Sequence, residues 1–277
     1  LAGGSDTDSD GIPDGFAKSS TTHGVTLGAT INNTTTIASS GGDIIIKGEC
    51  SSTTTQTGHG VQQTGLFDID AGAGSVIIEG VSTNWYGIDF AELISASSTP
   101  WTIKSSATTG AAITIKGTTT GTSQYGVVFN WPVQKQLISD AGGSISITGT
   151  GTSGQWGIFS QNVDYLSSSG AITLDGGVYG IKVIDTGSRF GALSGSDVTS
   201  SSAPVTLKGD IISIADWANG SSTTVLTSGT ISIQPSTTSS FGSGIIWPAG
   251  TATSGWNLGK TSGNSTTIFD WESITVN

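Results

Sequence analysis

The chain has 277 residues, of which Gly, Ser and Thr supply 42, 43 and 42, and its 20 acidic and 9 basic side chains leave a net charge of −11. With one Arg and eight scattered Lys it lacks the clustered cations a nucleic acid requires, and with a single cysteine, Cys50, it can form neither an internal disulfide nor a Cys-based zinc site. A hydrophobic share of 34%, with eight Trp and eight Phe, excludes a disordered chain, and no apolar run approaches the roughly 18 residues of a membrane-inserted span.

At the start, Leu1 to Asp10 is too polar for a signal peptide, and methionine is absent even at position 1. The expectation is a processed secreted product or a piece of a longer chain. Residues 1–20 form an acidic lead-in carrying the sharpest local motif, Asp6-Thr7-Asp8-Ser9-Asp10-Gly11-Ile12-Pro13-Asp14. Its spacing gathers several carboxylates around one point while Gly11 allows a sharp turn, a setting suited to hard, oxygen-seeking Ca²⁺. The motif resembles the aspartate loops of thrombospondin type 3 repeats and the first half of an EF-hand loop. That resemblance implies Asp6, Asp8, Asp10 and Asp14 as side-chain ligands of Ca²⁺, with the Ile12 carbonyl as a fifth. Ala17 stands where an EF-hand has its bidentate Glu, so a full helix-loop-helix site is not expected.

Residues 21–277 read as one β domain. It opens on short Thr-rich pieces, Val25-Thr26-Leu27 and Thr30-Ile31, and its best repeats span 41–235. One pattern recurs as GDIIIKG (42–48), GSVIIEG (74–80), AAITIKG (111–117), GSISITG (143–149), GAITLDG (170–176), APVTLKG (203–209) and GTISIQP (229–235), with steps of 32, 37, 32, 27, 33 and 26 residues. Two apolar side chains two apart mark a strand with one buried face. The terminal Gly and the Ser/Thr tracts predict turns, since Gly reaches positive φ without steric cost.

A second element follows each strand as aromatic, Gly, apolar pair: Tyr86-Gly87-Ile88, Tyr125-Gly126-Val127, Trp156-Gly157-Ile158 and Tyr179-Gly180-Ile181, with His59-Gly60-Val61 and Phe241 to Ile246 as weaker versions. A third apolar segment closes several periods, at Leu66 to Ile69, Trp101 to Ile103, Gln136 to Ile138 and Ala192-Leu193. Three short strands in about 31 residues, without an amphipathic helix, predict an all-β, single-stranded, right-handed parallel β-helix or β-solenoid of about seven to eight coils. Stacked at roughly 4.8 Å per strand, seven coils make a rod on the order of 35 Å long. A β-sandwich also alternates, but recurrence of the same motifs in the same order argues against it.

The units GSISITGTGTSGQWGIF and GAITLDGGVYGIKV resemble the repeats of filamentous-haemagglutinin-type exoproteins and related bacterial adhesins. The resemblance implies a right-handed parallel β-helix at the cell surface or outside the cell. The Asn-Pro signatures of the secretion domain in that family are absent, so no secretion route is carried over.

Catalysis has little material here. Asp68 and Asp70 are a candidate carboxylate pair for glycan hydrolysis, two apart on one strand face. His23 and His59, 36 residues apart, read as unconnected surface or turn residues, and the eight Trp as core or corner packing rather than glycan contacts. The closing segment Ile268 to Val276 is again strand-like. The sequence therefore predicts a non-enzymatic, calcium-stabilised structural or adhesive protein. It would self-associate end to end or continue into a longer chain, with glycans as candidate partners and a polysaccharide-binding or -cleaving β-helix as the alternative.

Overall fold

A computed structural model describes residues 14–28, 34–51, 58–91, 100–130, 133–184, 188–215 and 224–236, together with the backbone of 245–246 and 274–276. The protein is all-β, and its strands fall into three parallel sheets visited in turn, an arrangement compatible with a β-solenoid. Sheet 1 orders Ala17–Ser19, Ile44–Cys50, Val76–Ser82, Ala111–Thr119, Ser144–Thr150, Ile172–Asp175, Val205–Lys208, Ile231–Gln234 and Ile274–Val276. Sheet 2 orders Val25–Leu27, Val61–Gln63, Ile88–Ala91, Val127–Asn130, Ile158–Gln161, Ile181–Ile184, Ile212–Ala215 and Ile245–Ile246. Sheet 3 contains Thr35–Ala38, Phe67–Asp70, Trp101–Ser105, Lys135–Ser139, Val163–Ser167 and Arg189–Ser194. Among the described residues helical geometry is confined to one 3-10 turn, Gly177–Tyr179.

The repeat aligns in space as it does in sequence. Ile44, Val76, Ile113, Ile145, Ile172, Val205, Ile231 and Ile274 are successive register partners, so the first apolar position of every copy joins one ladder. Ile46, Ile78, Ile115, Ile147, Leu174 and Leu207 form the second ladder, each no more than 2% exposed. A bulge between Ala111 and Ile113 absorbs an extra residue without breaking this register. Where sheets 2 and 3 meet, Phe67, Phe90, Trp101, Phe129, Tyr165 and Phe190 fill the interior, and the Tyr165 hydroxyl is paired with Ser160 Oγ at 2.8 Å.

The glycines that end the strand motif do something other than turn the chain. Gly48, Gly80, Gly117 and Gly149 lie within sheet 1 strands and are not among the positive-φ residues. A Cβ on Gly117 would lie 2.1 Å from the Gly126 carbonyl oxygen, and one on Gly149 2.0 Å from that of Gly157. Two glycine ladders, one ending the sheet 1 motif and one opening sheet 2, thus meet backbone to backbone at this corner. Positive φ is needed instead at the other corner, as at Gly72 and Gly142 before sheet 1 strands.

Hydroxyls also enter the interior, beyond the outward faces and turns that composition suggests. Ser105, Ser139 and Ser167 are fully buried register partners, and their Oγ atoms donate to the carbonyls of Gly74, Gly143 and Gly170 at 2.6–2.7 Å. Cys50, Ser82 and Thr119 hold one equivalent column and donate to the carbonyls of Thr22, Gly58 and Trp85. Each hydroxyl or thiol satisfies a buried carbonyl that a tight corner leaves without a ladder partner.

One departure from parallel pairing occurs at Asp197–Thr199, which folds back antiparallel on Arg189–Ser194. Gly195, at φ +64, makes the tight turn between them.

Candidate functional site

The aromatic-Gly motif generates a continuous feature along the corner between sheets 1 and 2. Gly24, Gly60, Gly87 and Gly126 donate their N–H groups to the carbonyls of His59, Tyr86, Tyr125 and Trp156 in the next circuit, at 3.1–3.4 Å. The residues preceding the corner glycines, His23, His59, Tyr86, Tyr125, Trp156 and Tyr179, therefore stand in a row. His23 and His59 stack with centroids 5.2 Å apart, and the His59–Tyr86 and Tyr86–Tyr125 separations are also 5.2 Å. Tyr125 meets Phe159 at 5.4 Å, Trp85 lies 5.1 Å from Tyr86, and the Lys182 ammonium sits 5.8 Å over the Trp156 ring. These spacings lie in the attractive range for ring pairs. All of these rings are half-buried except that of His59, whose residue is only 3% exposed.

Far apart in sequence, His23 and His59 are adjacent rungs here, which corrects the expectation of two unconnected residues. His23-Gly24-Val25 is a first copy of the motif that carried too little aromatic character to be noticed. His59 Nε2 lies 3.4 Å from Asp89 Oδ2, its N–H donates to His23 Nδ1 at 3.4 Å, and its own Nδ1 is buried without a partner. Burial, with His23 adding to it, pushes the His59 pKa down to about 3, and burial lowers that of His23 as well. The Tyr86 hydroxyl is pushed up to about 12 by burial, then by Asp89 and Tyr125, and burial also raises that of Tyr125. At neutral pH the imidazoles of His23 and His59 and the phenols of Tyr86 and Tyr125 are therefore uncharged.

This has a measurable consequence. The unfolded chain takes up a proton on His59 near pH 6.5, whereas the folded protein resists it until about pH 3. Between those values the unfolded state binds more protons, so stability falls as pH is lowered. The loss from this residue should reach about 3 kcal/mol at pH 4, less whatever Asp89 returns by pairing with the charged ring. Urea titrations of wild type and His59→Gln at pH 7 and pH 4 should show a smaller acid loss in the variant. Equal losses would remove His59 from the account.

Among the described residues no hydroxyl or thiol is hydrogen bonded to either imidazole, and the Ser82 hydroxyl donates to Gly58 O at 2.6 Å. Asp68 and Asp70 do share the outer face of sheet 3, but each is engaged separately. Asp68 Oδ1 accepts from Thr102 N and Oγ1 at 2.8 and 2.9 Å, and Asp70 Oδ1 accepts from Gly72 N at 2.8 Å. Of the tryptophans, Trp101 is buried in the core and Trp85 and Trp156 line the corner, while Trp131, Trp217, Trp247, Trp256 and Trp271 lie outside the described residues.

For the calcium motif, Asp6, Asp8, Asp10 and Ile12 lie outside the described residues, and Asp14 is exposed. Among the described residues no group of three or more His, Cys, Asp or Glu side chains is placed to hold a metal ion.

A further polar cluster escaped sequence reading. Asp164, fully buried on sheet 3, accepts two hydrogen bonds from Arg189, Nε to Oδ1 and a terminal nitrogen to Oδ2, both at 2.7 Å. Gln136 Nε2 adds a third at 3.2 Å. The three residues are register partners in consecutive circuits, and only register reveals them. Lys18–Glu49, Lys104–Asp140 and Lys208–Asp175 likewise bridge adjacent circuits at 2.9–3.1 Å.

No protein-family model, curated protein or solved structure matches this chain.

Proposed function

We propose that the protein is a non-catalytic, extracellular structural or adhesive rod: a right-handed β-solenoid of about seven to eight coils, similar to adhesin-type exoproteins. The observation that carries this reading is the unbroken register of sheet 1 from Ala17–Ser19 to Ile274–Val276. A single stack of circuits grows along one axis, each circuit contacting only its neighbours. The paired charges support it, since four of the lysine and arginine side chains lock carboxylates of adjacent circuits rather than converging on one pocket. Right-handed crossover is the rule for parallel strands joined in this way. Calcium held by Asp6, Asp8, Asp10, Asp14 and the Ile12 carbonyl would stiffen the entry into the rod.

Association of rods end to end would extend sheet 1 beyond Ala17–Ser19 or Ile274–Val276, because an open sheet edge is a template for another strand. Electron microscopy with and without a calcium chelator tests this. Filaments with a uniform axial repeat, shortened or dispersed by chelation, are expected. Monomeric rods under both conditions would overturn self-association and the stabilising role of calcium.

A further inference from the structure

The aromatic row has a chemistry that the rod itself does not need. A solenoid corner is closed by the facing glycine ladders, and the residue before each corner glycine lies beyond that closure. Polar residues would serve there, as Asp210 does one circuit beyond Tyr179, where Ile211 takes the glycine position and accepts from Ile181 N–H. Instead the chain places rings at His23, His59, Tyr86, Tyr125, Trp156 and Tyr179. They advance by one rung per circuit, along the direction in which the circuits stack.

We infer that this row is a binding strip for a neutral polysaccharide chain lying along the rod. The inference rests on the structural and adhesive reading above and names the class of partner. Three observations select the occupant. The imidazoles of His23 and His59 and the phenols of Tyr86 and Tyr125 are uncharged at neutral pH, the Lys182 ammonium is engaged over the Trp156 ring, and the net charge of −11 repels polyanions, which disfavours nucleic acids and acidic polymers. The corner glycines already donate their N–H groups to the next circuit, so an extended peptide cannot add as a strand here. Tyr86, Tyr125, Trp156 and Tyr179 each keep part of the ring at the surface, where it can meet the C–H face of a pyranose, while the Tyr86 and Tyr125 hydroxyls stay protonated as donors. A polymer that repeats an apolar sugar face matches a strip that repeats an aromatic ring from circuit to circuit.

The test uses the whole chain and four soluble probes: cellohexaose, maltohexaose, chitohexaose and mannohexaose, with oligogalacturonate as the acidic comparison. Isothermal titration, with quenching or blue shift of tryptophan fluorescence as a second readout, should detect at least one neutral hexamer and no oligogalacturonate. Tyr125→Ala should weaken binding by tenfold or more, Tyr125→Phe should retain most of it, and Thr173→Ala on sheet 1 should change nothing. Circular dichroism of each variant checks that the fold is kept. If no neutral hexamer binds at millimolar concentration, or Tyr125→Ala binds as wild type does, the strip is refuted while the rod stands. Release of shorter sugars on thin-layer chromatography would refute the non-catalytic reading while the strip stands.

Discussion

Gly117→Ala should unfold the protein or cost roughly 3–5 kcal/mol, far more than one added methyl group usually does. The added Cβ would lie 2.1 Å from the Gly126 carbonyl oxygen, 2.7 Å from its carbon and 2.7 Å from Val127 Cγ2. Two of those atoms are backbone of Gly126, whose N–H donates to the Trp156 carbonyl and whose carbonyl accepts from the Ile88 N–H, so neither can yield without opening the corner. Gly110→Ala is the matched comparison. Its Cβ would meet nothing within 4 Å, but φ is +72, so the variant carries only left-handed strain of about 1–2 kcal/mol, offset in part by a stiffer unfolded chain. Urea and thermal midpoints of the two variants, read by circular dichroism, should therefore differ widely. Similar midpoints would mean that the corner is looser than its geometry indicates. The same reasoning covers Gly80 and Gly149, whose facing oxygens are Gly87 O at 2.1 Å and Gly157 O at 2.0 Å.

The second large effect is expected at Arg189. Removing its guanidinium, as in Arg189→Met, leaves the Asp164 carboxylate fully buried with the Gln136 amide as its remaining side-chain donor, and an uncompensated buried charge costs about 3–5 kcal/mol. Arg189→Lys should recover part of this, since one ammonium restores the charge but not the two parallel donors. The double variant Asp164→Leu/Arg189→Met should be more stable than Arg189→Met alone, because the orphaned charge is gone. Midpoint shifts in urea decide the matter, and an Arg189→Met variant within 0.5 kcal/mol of wild type, on the scale of ordinary surface substitutions, would show that water reaches Asp164.

Much of the architecture was legible because its period is written in side chains. The alternation in GDIIIKG and its six relatives, together with their common order, locates strands of sheet 1 from Ile44–Cys50 to Ile231–Gln234. The third-sheet strand Val163–Ser167 was not read. Every one of its residues is buried, Asp164 and Ser167 included, so polar residues do not mark an outer face in VDYLS as they do in the sheet 1 motif. Legibility was lower for the aromatic row. Tyr86, Tyr125, Trp156 and Tyr179 announce themselves by the following glycine, and His59 did so weakly. His23 needed the register, and Asp89 needed the fold, because its carboxylate meets His59 only when adjacent copies of the motif stack.

The sequence alone determined that the chain builds β circuits with an apolar inner face and few charges, since strand periodicity and composition are local properties. Only the tertiary structure decided what the abundant small residues are for. Of the 42 glycines, Gly48, Gly80, Gly117, Gly149 and Gly176 owe their place to a carbonyl oxygen across the corner that an added Cβ would approach to 2.0–2.1 Å, and the buried serines to carbonyls in a neighbouring loop. Such a requirement comes from residues that meet only when one circuit closes on the next, so no local pattern can state it.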